Sequence, residues 1–119
     1  MDILLTGATG FIGSHLRKAL SVTHQVSAIT RGACKEERGR VIWISADLEQ
    51  ANFTDSLPEK LDAVLVMAQA REYRDFPEQV WPIFNVNIRS LIALLEYARC
   101  HGAKKFIFAS SANVYQRST

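Results

Sequence analysis

Three glycines near the N-terminus constrain the fold of this chain more than any other feature. Gly7, Gly10 and Gly13 form a GxxGxxG spacing that starts directly after the apolar run 3–5. The apolar residues that follow recur at helical spacing, which predicts a first helix over 11–20. A glycine loop between a buried strand and a helix is typical of α/β proteins that hold a phosphate at the helix N-terminus.

Each glycine of this loop has its own physical role. The first permits a tight turn, the second lets backbone approach a pyrophosphate, and the third lets the helix pack closely on the strand. The pyrophosphate would lie at the helix N-terminus, where free N–H groups and the helix dipole attract negative charge. The loop therefore predicts dinucleotide binding, and the alternative is an ordinary structural turn. The cofactor contacts expected here are Gly7, Thr9, Gly10, Phe11, Ile12 and Gly13.

Short apolar runs alternate with amphipathic segments along the rest of the chain. Strands are predicted over 3–5, 26–29, 41–44, 62–68 and 106–109. A second helix is predicted over 88–98; Gly102 ends it, and Pro58 interrupts the polar segment before the fourth strand. Alternating strands and helices form βαβ units with right-handed crossovers. We therefore predict an α/β fold with a doubly wound parallel sheet, ordered 3-2-1-4-5, in one domain over 1–119.

The composition excludes several classes of protein. The 119 residues carry 14 basic and 12 acidic side chains, a net charge of +2, without the concentrated basic face of a nucleic-acid binder. No segment reaches the roughly 18 apolar residues that a membrane span requires. Cys34 and Cys100 lie in unlike contexts without a CxxC spacing. This argues against a metal site or a disulfide and for reduced thiols in a cytoplasmic protein.

Five segments together resemble one known family. Residues 6–13, TGATGFIG, resemble the TGxxGxxG loop of the extended short-chain dehydrogenases/reductases, the group of NAD-dependent epimerases and dehydratases of sugar nucleotides. The other similar segments are the Asp47-Leu48 pair, the strand 62–68, the helix 87–99 and FIFASSANVY over 106–115. Val66 stands where the family has histidine, Gln69 where it has a small residue, and Ser90 and Gln116 where it has glycine. The resemblance covers the whole chain and implies an NAD(P)-binding Rossmann domain.

The resemblance also implies further cofactor contacts. In the family the carboxylate of the Asp-Leu pair meets the adenine amino group, and that role falls here to Asp47. The other residues that the resemblance places along the cofactor are Leu48, Met67, Ala68, Gln69 and Asn87.

The end of the second strand indicates which nucleotide is preferred. An acidic residue about 20 positions beyond the glycine loop would bond the ribose 2′-hydroxyl and select NAD. Here the strand ends in Ala28-Ile29-Thr30-Arg31-Gly32, without a carboxylate. Arg31 is well placed to meet a 2′-phosphate through charge-assisted, bidentate hydrogen bonds, and Lys35 is a further candidate. NADP is therefore favoured, and NAD remains the alternative if Arg31 is a surface residue that contacts nothing.

The catalytic set of the resembled family is only partly represented. By resemblance, Ser111 is the serine that orients the substrate. The acid/base tyrosine belongs to a YxxxK motif, whose spacing places both side chains on one helix face. None of the three tyrosines has lysine four positions later, because Pro77, His101 and Thr119 occupy those positions. The chain is therefore interpreted as a fragment, with its sheet truncated after strand five and the substrate-binding region absent.

Three functions are compatible with these patterns. The first is the NAD(P)-binding portion of an epimerase, dehydratase or reductase that acts on a nucleotide sugar or similar carbonyl compound, inactive as this fragment. The second is an NADP-binding regulatory or sensor module without catalysis, which the altered residues Val66, Gln69 and Gln116 favour. The third is a remnant that binds nothing. Neither the substrate nor the reaction type can be read from residues 1–119.

Two surfaces predict self-association of the isolated chain. The strand 106–109 would form an unpaired sheet edge of the kind that recruits other chains. The helix 88–98 is the second surface, because its equivalent in the resembled family packs in the helix bundle of a dimer. The alternative is that the tail 116–119 folds over the strand edge and keeps the chain monomeric.

Overall fold

One sheet of five parallel strands organises residues 1–33 and 39–115, the part of the chain that the computed structural model describes. The strands are β1 (Asp2–Thr6), β2 (Gln25–Thr30), β3 (Val41–Ser45), β4 (Ala63–Val66) and β5 (Lys105–Phe108). The helices are α1 (Phe11–Leu20), α2 (Val80–Phe84) and α3 (Ser90–Cys100). The order of the strands in the sheet is β3-β2-β1-β4-β5, which confirms the predicted topology.

The strand order places a crevice at one edge of the sheet. β1 lies between β2 and β4, and Ile3 is paired with Val26 on one side and with Ala63 on the other. The chain therefore leaves β1 in one direction to form β2 and later returns on the opposite side to form β4. In doubly wound sheets this reversal opens a crevice outside the carboxyl ends of the strands, where ligands bind.

Two apolar layers cover the sheet, because successive side chains of a strand point to opposite faces. Ile3 and Leu5 lie in the layer beneath α1, and Leu16 and Leu20 of that helix pack against them. The buried members of the layer beneath α3 include Leu4, Val64, Val66, Leu94 and Ala98. β1 is thus buried on both faces, which explains why its sequence is a continuous apolar run.

The helix predicted over 88–98 is part of a longer helical segment. α2, a π-helical turn (Asn85–Arg89) and α3 follow one another without a break. Pro82 lies in the first turn of α2, where a backbone N–H has no intrahelical partner to lose. Gly102, with a φ of 72°, ends the segment as predicted. One face of this segment carries exposed apolar side chains, namely Trp81, Phe84, Ile88, Ile92 and Leu95.

The connection from β3 to β4 contains a single 3-10 turn, Phe53–Ser56, in place of a long crossover helix. Pro58 follows this turn, as expected for a residue that interrupts a helix. The connection is fixed by burial of Phe53 and Leu57. The hydroxyl of Tyr97 in α3 also donates to the carbonyl oxygens of Leu57 and Pro58, at 3.1 and 3.2 Å. Side-chain packing therefore replaces a regular helix in this crossover.

Some sequence predictions concern residues outside the described ranges. Cys34, Lys35 and the tail 116–119 are among them. Within 1–33 and 39–115, no helix is long and apolar enough to cross a membrane. In the same ranges, no three His, Cys, Asp or Glu side chains lie close enough together to hold a metal ion.

Candidate nucleotide-binding site

Gly7 lets the loop after β1 contact the loop after β4. Its φ is 68°, in the left-handed region that favours glycine. A Cβ at this position would lie 2.7 Å from the Ala68 nitrogen and 2.8 Å from the Met67 carbonyl oxygen. The first glycine of the motif therefore makes a tight turn, as expected, and it also allows two strand ends to meet.

Thr6 fastens the same two loops together. Its side chain is fully buried, and its Oγ1 accepts hydrogen bonds from the N–H groups of Met67 and Ala68, at 3.2 and 3.1 Å. Buried N–H groups need an acceptor, because leaving one unpaired costs about 1–3 kcal/mol. The threonine before the glycine loop is therefore a structural part of the site, although it does not line the cleft described below.

Gly13 brings α1 against the glycine loop. A Cβ at this buried position would lie 2.7 Å from the Gly7 carbonyl carbon and 3.1 Å from the Ala8 Cα, so no side chain fits. The Gly7 carbonyl oxygen also accepts the Gly10 N–H, at 3.0 Å. The third glycine therefore allows the close packing of helix and loop that the sequence predicts.

The N-terminus of α1 is open. Gly10 is the N-cap residue, no side chain caps the first turn, and that turn contains no acidic residue. The first N–H groups of a helix lack intrahelical partners, and the helix dipole makes this end electropositive. An anion such as a pyrophosphate is the ligand that such an end accepts best.

A cleft of about 640 Å³ lies beside this helix end, at the carboxyl ends of the central strands. Its volume is within the range of small-molecule and cofactor sites. The predicted cofactor residues that line it are Gly7, Thr9, Gly10, Arg31, Asp47, Leu48, Met67, Ala68 and Gln69. The structure thus brings four separate segments of the sequence prediction together around one cavity.

The other four predicted cofactor residues do not line the cleft. Phe11 and Ile12 begin α1, and their side chains are exposed. Gly13 lies behind the loop, as described above. Asn87 supports a wall of the cleft, because its Oδ1 accepts the Ala70 N–H at 2.8 Å.

The π-helical turn supports a second wall of the cleft. Arg89 donates a hydrogen bond to the carbonyl oxygen of Glu49, and the Glu49 N–H donates to Oδ1 of Asp47 at 3.0 Å. A carboxylate accepts several hydrogen bonds, so Asp47 keeps acceptor capacity for a ligand. Asn87 and Arg89, two residues apart, therefore hold the segments that follow β4 and β3.

Two arginines supply positive charge to the cleft. Arg31 follows β2, where the Gly32 N–H donates to Oγ1 of Thr30 at 3.1 Å and shapes the turn. Arg71 lies in a 3-10 turn, Arg71–Arg74, after β4. Both arginines are exposed, so that a ligand in the cleft has access to either guanidinium.

Half of the residues that line the cleft were missed from the sequence. They are Ile29, Thr30, Gly32, Ala33, Ala46, Ala70, Arg71, Glu72 and Val86. Most of them directly flank a predicted contact after the end of a strand. This adjacency is the sequence signal that could have predicted them as lining residues. Arg71 belongs to no motif. Val86 lies in the π-helical turn, and the sequence predicts that the helix begins only at residue 88.

Ser111, the residue assigned a catalytic role by resemblance, lies after β5 and outside the lining of the cleft. Its Oγ accepts the Asn113 N–H at 3.2 Å, at the start of the 3-10 turn Ala112–Val114. The side chain is exposed. The proposed role in orienting a substrate therefore stays a prediction.

Comparison with models of known protein families adds an independent observation. Residues 3–119 match the NAD dependent epimerase/dehydratase family. The chain belongs to this family. The glycine loop, the open helix end and the cleft all lie within the matched region of this epimerase/dehydratase chain.

Three relatives illustrate the similarity. UDP-glucose 4-epimerase from Vibrio cholerae is 31% identical over 123 residues, which cover 99% of this chain and 37% of the relative. MoeE5, solved with UDP-glucose and NAD, is 30% identical with a TM-score of 0.77, covering 99% of this chain and 39% of that one. A mutant UDP-glucuronic acid 4-epimerase from Bacillus cereus, solved with UDP-4-deoxy-4-fluoro-glucuronic acid and NAD, is 27% identical with a TM-score of 0.79, covering 100% and 43%. The chain thus spans about two fifths of the length of these epimerase/dehydratase relatives.

Proposed function

We propose that the cleft binds a nicotinamide adenine dinucleotide, with its pyrophosphate at the N-terminus of α1. The observation that carries this proposal is the uncapped end of α1, directly beside glycine-loop residues that line the cleft. The adenine would lie toward Asp47, and the rest of the cofactor would run along the segment 67–69. The bound NAD of two similar solved structures supports this choice of ligand.

The cofactor that we propose is NADP in preference to NAD. The end of β2 has no carboxylate to accept a ribose 2′-hydroxyl, and Arg31 lines the cleft at this position. A guanidinium binds a phosphate in a bidentate geometry that a hydroxyl cannot offer. Arg71 lines the same cleft, so a second guanidinium adds to the positive charge that a phosphate would meet there.

Isothermal titration of the chain with NADP and NAD tests both proposals. We expect NADP to bind more tightly, and Arg31→Ala to weaken NADP binding roughly tenfold or more with little effect on NAD, since hydrogen bonds to charged groups contribute about 1.5–3 kcal/mol. Lys104→Ala is the matched control. It removes one positive charge from an exposed residue next to the start of β5, at the opposite end of the sheet. Equal affinities for the two nucleotides, or equal losses in both variants, would reject the NADP preference.

For the whole protein we propose an epimerase, dehydratase or reductase reaction on a nucleotide sugar or similar carbonyl compound. Family membership and the UDP-sugars named for the similar proteins support this substrate class. Ser111 would orient the substrate, so Ser111→Ala in the full-length protein should lower kcat and leave NADP affinity unchanged. A regulatory module, the alternative prediction, would bind NADP and turn over no member of a UDP-sugar panel. A cytoplasmic location also stays a prediction, made from the cysteine pattern.

We also propose that the isolated chain self-associates. Among residues 1–33 and 39–115, β5 is the last strand on its side of the sheet, and its Ile107 side chain is 51% exposed. The exposed apolar face of the helical segment is the other candidate, with Ile92 61% exposed. Light scattering over a concentration series should show a dimer, weakened by Ile107→Lys or by Ile92→Lys according to the surface used. Ile92 is a better test site than the adjacent Leu91, because Leu91 packs against the core. A monomer mass at every concentration would reject the proposal.

A further inference from the structure

The side chain of Arg17 reaches from α1 to the back of the glycine loop. Its Nη1 donates a hydrogen bond to the Ala8 carbonyl oxygen at 2.5 Å. Its guanidinium carbon also lies 4.7 Å from the centroid of the Trp43 ring, within the range of a cation–π contact. Trp43 belongs to β3 and packs in the apolar layer beneath α1. Arg17 therefore connects the loop to an outer strand of the sheet.

The position of Arg17 on α1 explains why this contact is made. Arg17 follows Gly13 by four residues, so both lie on one face of the helix. Helical side chains lean toward the helix N-terminus, and a long side chain at position 17 therefore extends over position 13. Gly13 has no side chain there to intervene, and a Cβ would already lie 3.1 Å from the Ala8 Cα. The guanidinium can thus reach the carbonyl of the buried residue Ala8.

The peptide bond between Ala8 and Thr9 transmits this contact to the cleft. The bond is trans, and a trans peptide is planar with its C=O and N–H groups pointing in opposite directions. Since the Ala8 oxygen is held by Arg17, the Thr9 N–H is directed away from the Arg17 guanidinium. Thr9 lines the cleft, and no backbone acceptor among the described residues takes its N–H.

We propose that Arg17 is a positioning residue for phosphate binding, which holds the Ala8 carbonyl from behind and keeps the Thr9 N–H directed into the cleft. This inference rests on the proposed function of the cleft. A donor that is already oriented requires no rearrangement when the ligand binds, and affinity is gained by avoiding that cost. Contact with Trp43 restricts the motion of the Arg17 guanidinium, so the indole ring contributes to the same positioning of the loop.

The experiment compares a ligand that has a pyrophosphate with one that lacks it. Isothermal titration of the full chain with ADP and with adenosine should show that Arg17→Met weakens ADP binding roughly tenfold, the low end for a hydrogen bond to a charged group, and leaves adenosine binding unchanged. Methionine keeps an unbranched apolar side chain and removes the donor. Lys18→Met is the matched control, because it removes a positive charge from the next residue of α1, which is exposed. The control should leave both affinities unchanged.

A second readout reports on the loop itself. In 15N-labelled chain, the Thr9 amide resonance should move when ADP is added, and Arg17→Met should shift this resonance before any ligand is present. Trp43→Leu should weaken ADP binding in the same direction, and adding it to Arg17→Met should cost little more. The result that overturns the inference is an equal loss for ADP and adenosine, or an unchanged ADP affinity with an unmoved Thr9 resonance. If the unmutated chain binds neither ADP nor adenosine, the proposed function of the cleft fails together with this inference. If every variant binds ADP as tightly as the unmutated chain does, only the role of Arg17 fails.

Discussion

Substitution of Gly13 by alanine should destabilise the fold even though alanine favours helices. The added Cβ would overlap the Gly7 carbonyl oxygen and lie 2.7 Å from the Gly7 carbonyl carbon, whereas ordinary contact begins at 3.4 Å, so that helix and loop must separate by about 1 Å or more. Both contacted atoms belong to backbone and cannot rotate away. Overpacking of this kind costs about 1–3 kcal/mol, and the helix propensity of alanine returns up to about 1 kcal/mol. We expect a net loss of about 1–2 kcal/mol.

Thermal unfolding followed by circular dichroism measures this loss. For a chain of this size, each kcal/mol lowers Tm by about 4 °C, so Gly13→Ala should unfold roughly 4–8 °C lower. Gly10→Ala is the control, because a Cβ at position 10 would contact only the Gly7 carbonyl oxygen, at 3.3 Å. Its Tm should stay within about 2 °C of the unmutated chain. An unchanged Tm for Gly13→Ala would refute the idea that the third glycine is required by close packing of α1 on the loop.

Three further predictions concern the walls of the cleft. Gly10→Val should abolish dinucleotide binding in a titration and leave the far-ultraviolet spectrum intact, because its side chain would occupy the place where backbone meets the pyrophosphate; normal affinity would show that the loop is only a turn. Thr6→Val should lower the free energy of unfolding by about 2 kcal/mol in urea titration, since two part-buried N–H groups lose their acceptor, and Thr6→Ser should restore most of this. Arg89→Met should weaken binding of ADP without a change in helix content, because the segment before Glu49 is released; equal affinity would show that this wall needs no support from the helix.

The central features of the fold were predictable because their causes are local. The bounds of α1 follow from the glycine loop before the helix and from the helical spacing of Leu16 and Leu20. These signals lie within a few residues of one another in the sequence. The predicted fourth strand, 62–68, is longer than the observed Ala63–Val66. The apolar run continues beyond the sheet there, since the N–H groups of Met67 and Ala68 donate to the side chain of Thr6 and not to the backbone of a neighbouring strand.

Other features depend on contacts between distant residues and leave no local pattern. The start of the last helix was missed because Trp81 and Phe84 are exposed, and their spacing does not mark a buried face. The role of Arg17 depends on Trp43, a residue of another strand. Arg71 lines the cleft from a 3-10 turn that follows β4, and no sequence motif marks this turn. The roles of such residues can be recognised only from the folded structure.

The π-helical turn makes the length of this part of the chain as important as its composition. A π-helical turn contains one residue more than the α-helical turn it replaces, and each residue of an α-helix advances the chain by about 100°. Deleting a single residue within Asn85–Arg89 would restore regular α-helix and rotate everything after it by that angle relative to α2. Leu94 and Ala98 would then leave the core, or Asn87 and Arg89 would lose their two loops. Homologous chains should therefore conserve the residue count of this turn as strictly as the identities of Asn87 and Arg89.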